Sequence, residues 1–131
     1  MRVVLDASAA MSAVMDVGSK VVPILHRASE ILAPNHYIAE VTSGLWKYVT
    51  LRELSIEEAA RHLAVALQMI VTYRDVAELA DEVLREACMR RHPVYDLYYA
   101  VLARREGAAI LTFDRRLKEL CNTMGIPLAD A

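Results

Sequence analysis

The chain has 131 residues, which is one domain by length and enough to enclose a real core. Hydrophobic residues make up 56% and mean hydropathy is +0.25, yet no apolar run approaches the ~20 residues of a membrane helix, so the surplus is expected in a core and a buried partner surface. A net charge of −2 excludes a global basic field for nucleic acid and leaves only a local patch.

Residues 2–5 read as a first strand, because Val3, Val4 and Leu5 are consecutive and apolar. Asp6 ends that run, which also argues against a signal peptide, and residues 7–15 read as a helix. After a turn at Asp16 to Ser19, Ser19 is expected to cap a helix from Lys20 to about Leu32, with Pro23 tolerated in its first turn. Ile31 to Ala33 read as a short second strand. Asn35 is expected to cap a helix to about Leu51 whose core side carries Ile38, Val41, Leu45 and Tyr48, with Glu40 inside it. Ser55 to Glu58 form a capping box, and its helix should bury Ile56, Ala60, Leu63, Leu67 and Ile70. Val71 to Tyr73 read as the third strand, and Asp75 caps a helix with Val76, Leu79, Val83 and Ala87 on one side.

His92-Pro93 breaks that helix, and Asp96 opens the next, with Tyr99, Ala100 and Ala103 on one face and Gly107 as a left-handed stop. Ala108 to Leu111 form a buried strand ended by Thr112 and Asp114, followed by a last helix and a weak strand near Ile126 to Leu128. There is no repeat or linker, so residues 1–131 form a single domain. The alternation of strands and helices predicts an α/β sandwich with a mainly parallel sheet.

Two short buried strands thus each deliver an aspartate at the carboxyl end. If the strands are parallel neighbours, Asp6 and Asp114 share the rim where open sheets bind ligands. Converging carboxylates without a basic partner repel each other, and a hard divalent cation such as Mg²⁺ or Mn²⁺ is the usual remedy. Cys88 and Cys121 lack metal spacing and read as reduced thiols of a cytoplasmic protein. No His/Cys cluster suggests zinc, and His26, His36 and His62 read as surface or core histidines.

The sequence resembles the PIN-domain ribonucleases, and most closely the VapC-type toxins of type II toxin–antitoxin systems. The resemblance is carried by VVLDASA at 3–9, APNHYIAEV at 33–41, YDLYYAVLA at 95–103 and ILTFDRRL at 110–117. Each stretch alone is weakly specific; together they span nearly the whole chain. The resemblance implies a PIN-like three-layer α/β/α sandwich and a Mg²⁺- or Mn²⁺-dependent endoribonuclease, with RNA as substrate and a cognate antitoxin and a homodimer as partners. It carries the family's acidic quartet onto Asp6, Glu40, Asp96 and Asp114, and its near-site polar residues onto Ser8 and Thr112. The family's lesser acid, two or three residues past the last aspartate, falls on Arg116 or Leu117, which argues against a fully occupied second metal position.

The chemistry is intelligible from the residues. A phosphodiester is already negative, so bare carboxylates repel it, and a bound cation reverses the local sign and activates water. Asp6, Asp96 and Asp114 are assigned as metal ligands, and Glu40 as a ligand or as the group orienting the attacking water. Each acid alone also reads as a helix cap or an exposed charge; four in one order favour the site. Arg90, Arg91, Arg115 and Arg116 are candidate RNA contacts around the acidic centre, whereas Arg104 and Arg105 read as helix-end charges. Tyr95, Tyr98 and Trp46 read as core or dimer residues more readily than as base-stacking platforms. The alternative from another class is a non-catalytic PIN module that binds RNA or protein. A dehalogenase-like phosphatase would want an acid where Ser8 stands, and the acidic pair and later lysine of a receiver domain are missing.

Overall fold

The computed structural model describes residues 1–130, in the order β1 (Arg2–Leu5), α1 (Ala7–Met15), α2 (Val21–Arg27), β2 (Glu30–Pro34), α3 (His36–Thr50), α4 (Ile56–Gln68), β3 (Thr72–Arg74), α5 (Val76–Arg90), α6 (Val94–Glu106), β4 (Ala109–Leu111) and α7 (Arg115–Met124). The four strands pair in the order β3-β2-β1-β4, and every pairing is parallel. Val3, Val4, Leu5, Ile110 and Leu111 are all fully buried, as expected for strands covered on both faces.

The strand order places the helices. From β1 the chain moves outward through β2 to β3, then returns past β1 to β4. Right-handed crossovers therefore put α1 to α4 on one face and α5 and α6 on the other, which is the α/β/α arrangement. The direction of winding reverses between β1 and β4, so the crevice beyond their carboxyl ends is the topological switch point. Helix α6 packs on β1, β2 and β4 and is flanked by α5 and α7. Its Leu97, Tyr99, Ala100, Val101, Leu102 and Ala103 are all buried, so it is apolar nearly all round, as a central helix must be. Gly107 closes it at φ 62°, a conformation in which a side chain is strained. On the neighbouring helix, Glu86 is buried and receives both Arg90 (2.6 Å) and Arg104 (2.7 Å), tying α5 to α6. Arg105 is likewise occupied, by Glu82 and the Glu78 carbonyl, so both arginines are structural, as read from the sequence.

Several local expectations are corrected. The helix expected from Lys20 to about Leu32 stops at Arg27, because Ala28 is extended and Glu30 to Leu32 are taken into the sheet beside β1. Sheet pairing, with an Arg2–Glu30 ion pair at 2.8 Å, outweighs local helix propensity there. Ser19 still donates its capping chemistry, its Oγ accepting from the Val21 N–H. Asn35 precedes α3 but does not cap it; its Oδ1 accepts from the Val76 N–H and so helps start α5. Helix α6 begins at Val94, two residues before Asp96, so Asp96 lies inside its first turn and does not cap it. The weak strand at Ile126 to Leu128 is a single bridge from Leu128 to Ile110. Ile38, Ile56 and Ala60 face outward, and Tyr37 is the buried aromatic of α3. The Ser55–Glu58 capping box is present with both reciprocal bonds.

Candidate active site

The carboxyl ends of β1 and β4 lie side by side, with Leu5 opposite Leu111. Asp6 follows one strand and Thr112 the other, and a small hydrogen-bonded ring joins them. Thr112 Oγ1 donates to Asp6 Oδ2 (2.5 Å), Ser8 Oγ donates to Asp6 Oδ1 (2.8 Å), and the Ala9 N–H donates to the same oxygen (3.0 Å). Both hydroxyls also accept, Ser8 from the Phe113 N–H and Thr112 from the Asp114 N–H, each at 2.9 Å. The two residues expected near the site thus fix the first aspartate and orient the approach to the last.

Asp6 is 5% exposed. Its burial disfavours the charge and outweighs the three donors that favour it, and the nearby Asp114 charge adds to the effect. Together they push its carboxyl up to about 6. Asp114 caps α7, accepting from the Arg116 and Leu117 N–H groups through Oδ1. Asp6 and Asp114 are both helix caps, and the bond that starts each helix also orients its carboxylate.

A cleft of about 330 Å³ opens here, lined by Asp6, Ser8, Glu40, Asp96, Tyr99 and Asp114 among others. All four expected acids are brought together, from β1, α3, α6 and β4. Glu40 is half-buried on α3, and Tyr99 donates its hydroxyl to Oε1 at 2.6 Å. Burial raises the Glu40 carboxyl above the usual carboxylate range; the Tyr99 bond opposes this, and the charges of Asp96 and Asp114 reinforce it. Asp96 is buried on the first turn of α6, and its Oδ2 accepts from Arg116 Nε at 3.0 Å. His92 Nε2 stands 4.0 Å from the same oxygen.

The sequence reading missed Ser43 and Lys47, which line the same cleft. Their signal was helical spacing: counting from Glu40, Ser43, Gly44 and Lys47 fall at three, four and seven residues, one face of α3. The basic residues divide. Arg90, Arg91, His92 and Arg116 border an adjacent groove of about 540 Å³ that also holds Glu119. Arg116 thus touches both the acidic cleft and this groove. Arg90 is engaged by Glu86, and Arg115 lines neither depression. Trp46 and Tyr95 are exposed, so neither is a core residue.

Among the described residues no three acids, histidines or cysteines converge into a ready-made metal cage. The donor set is nevertheless the one a hard cation takes: oxygen only, few carboxylates, and space for waters and a phosphate. Burial first, and then the charges of neighbouring acids, raise the Asp6 and Glu40 carboxyls, and a cation bound here would offset that repulsion. The residues fit a hard divalent cation.

A family model for the PIN domain matches residues 3–122. Over 103 residues the chain is 38% identical to Exonuclease VapC9 of Pyrobaculum aerophilum, covering 78% of this chain and 73% of that protein. The crystal structure of PAE2754 from Pyrobaculum aerophilum superposes with a TM-score of 0.73 at 29% identity, covering 89% of this chain and 82% of that one. That of Mycobacterium tuberculosis VapC20, described as a Sarcin-Ricin loop cleaving toxin, gives 0.64 at 18% identity, covering 90% and 94%, a likeness of fold alone.

Proposed function

This chain belongs to the PIN-domain family as a nuclease of the VapC type, and from that premise we propose that it is a toxin that hydrolyses RNA internally with Mg²⁺ or Mn²⁺. The carrying observation is the gathering of Asp6, Glu40, Asp96 and Asp114 in one cleft at the topological switch point.

Asp6, Asp96 and Asp114 would hold the ion, directly or through water, with Glu40 as a further ligand or as the group on the water. A bound divalent ion supplies a lowered water pKa and charge neutralisation at the phosphate. The chain's own residues prepare the rest. Ser8 and Thr112 hold Asp6 in one rotamer, so its geometry need not be assembled during reaction. Tyr99 occupies one oxygen of Glu40, which lines the cleft, and a carboxyl with a raised pKa suits proton acceptance near neutral pH. Lys47 adds a positive charge at the cleft wall for the substrate phosphate.

The partner half of the proposal, an antitoxin and a homodimer, is supported by an uncovered apolar groove of about 270 Å³ between α3 and α4, lined by Leu45, Trp46, Val49, Ile56 and Leu63 among others. Among the described residues no helix is long and apolar enough to cross a membrane; a cytoplasmic location belongs to the proposal and is supported by the free thiols of Cys88 and Cys121.

The name of the VapC9 relative favours a second reading, removal of nucleotides from an RNA end. Circular single-stranded RNA decides between them. Linearisation of the circle with Mn²⁺, abolished by EDTA and by Asp96→Asn, is the expected result. Degradation of linear RNA alone assigns the exonuclease reading, and no cleavage of either leaves a binding module.

A further inference from the structure

The acidic cleft contains one feature that its four acids do not explain. Arg116, on the first turn of α7, reaches across to α6 and places Nε 3.0 Å from Asp96 Oδ2. It is one of the two positions, two and three residues past Asp114, on which the family's lesser acid would fall, the other being Leu117. A fixed positive charge therefore stands where a negative one would help hold a second cation. No other acid pairs with Arg116 among the described residues, and its side chain is 60% exposed while that of Asp96 is 11% exposed. So the pair is not a loose surface contact on the Asp96 side: the one exposed partner covers one oxygen of a buried carboxylate. Among the described residues no donor is bonded to Asp96 Oδ1, and Asp96 lines the cleft.

We propose that Arg116 is a resident cation of this active site, restricting Asp96 to one ligand oxygen and holding the site to a single divalent ion. This rests on the metal-dependent reading above. The physical case is charge and access together. A guanidinium in hydrogen-bond contact with a carboxylate neutralises much of its field, and any second dication beside it meets a like charge at short range. Arg116 also borders the basic groove with Arg91 and His92, so the charge it supplies lies on the side from which a phosphate backbone would be gripped. It thereby gives one positive charge to the site without needing a second ion. It is a positioning residue for Asp96, and it answers for the metal count.

The test counts bound Mn²⁺ on the purified full chain by titration calorimetry and by the electron paramagnetic resonance signal of free Mn²⁺. The parent is expected to bind one ion. Arg116→Glu, at an exposed position where an acid suits the helix dipole, is expected to bind two. Arg116→Gln, which adds no acid, is expected to keep one ion but bind it on the order of tenfold tighter. Arg115→Gln removes the same charge from a residue that pairs with no acid among the described residues, and its affinity should change less than about twofold. Two ions on the parent, or one on a folded Arg116→Glu, overturns the proposal alone. Equal tightening in Arg115→Gln also overturns it, because a general field would then be the cause. A parent that binds no Mn²⁺ overturns it together with the metal-dependent reading.

Discussion

Thr112 Oγ1 donates to Asp6 Oδ2 at 2.5 Å, a bond between the ends of two strands 106 positions apart in the chain. Thr112 Oγ1 in turn accepts from the Asp114 N–H. One hydroxyl therefore reads the first acid and sets the backbone leading to the last. The strand pairing brings the two aspartates to one rim, but this threonine determines how they face it.

Thr112→Val keeps the shape and removes both bonds. A buried carboxylate loses a donor and a buried N–H loses an acceptor, so the cost should be about 2 kcal/mol in urea unfolding. RNA cleavage should fall with it. Thr112→Ser retains the hydroxyl and should stay within about 1 kcal/mol of the parent. Equal stability of the valine and serine variants would show that the ring of bonds around Asp6 does not hold the site.

Tyr99→Phe addresses the proton chemistry. The Tyr99 hydroxyl is the bond that lowers the Glu40 pKa, against burial and the charges of Asp96 and Asp114, which raise it. Removing the donor should raise Glu40 further, so the acidic limb of the pH profile of kcat/KM should move to higher pH. At high pH the rate should approach that of the parent. A profile that drops uniformly without moving would assign Tyr99 to structure only.

What the sequence disclosed and what it hid have separate physical causes. The two strand ends were legible because three apolar residues followed by an acid is a local pattern, and Gly107 was legible because few residues tolerate its φ of 62°. The spacing of Glu40 along α3 was local too, though Lys47 on the same face went unread. Asn35 was misread because its acceptor serves Val76, 41 positions away, and no local pattern records that. Helix α2 was drawn too long because the strand pairing that ends it involves β1. Ile56 was assigned to the core because periodicity identifies an apolar stripe and not whether anything covers it; its 71% exposure says that nothing among the described residues does.

That uncovered stripe yields a prediction on association. Trp46 is 62% exposed and Ile56 71% exposed, and both line the groove between α3 and α4. If this face seats a second copy or an antitoxin, Trp46→Glu with Ile56→Glu should leave the fold intact and weaken association at least tenfold. Light scattering over a micromolar concentration series measures it for the chain alone, and calorimetry with a tight partner recovered from the native host measures the rest. Unchanged masses and affinities would place both interfaces elsewhere.

The last prediction turns on the sign of the Asp6 shift. Its folded pKa stands at about 6, above an ordinary value of 3.8, so the folded state holds this proton more tightly than the unfolded chain does. Stability without metal should therefore fall as pH rises from about 4 to about 6 and level off above that, by at most about 3 kcal/mol. Asp6→Asn keeps a side-chain oxygen for the Ala9 N–H and removes the charge. In EDTA at pH 7 this variant should melt higher than the parent, and its Tm should vary less between pH 4 and 7. Mn²⁺ binds the folded parent and should raise its Tm in proportion to RT ln(1 + [L]/Kd), with a smaller gain in Asp6→Asn. A purely structural Asp6 predicts the opposite pattern: the lost interactions cost about 1 kcal/mol, the variant melts lower in EDTA, and Mn²⁺ moves neither protein. Four melting curves, parent and Asp6→Asn with EDTA and with Mn²⁺, separate the two.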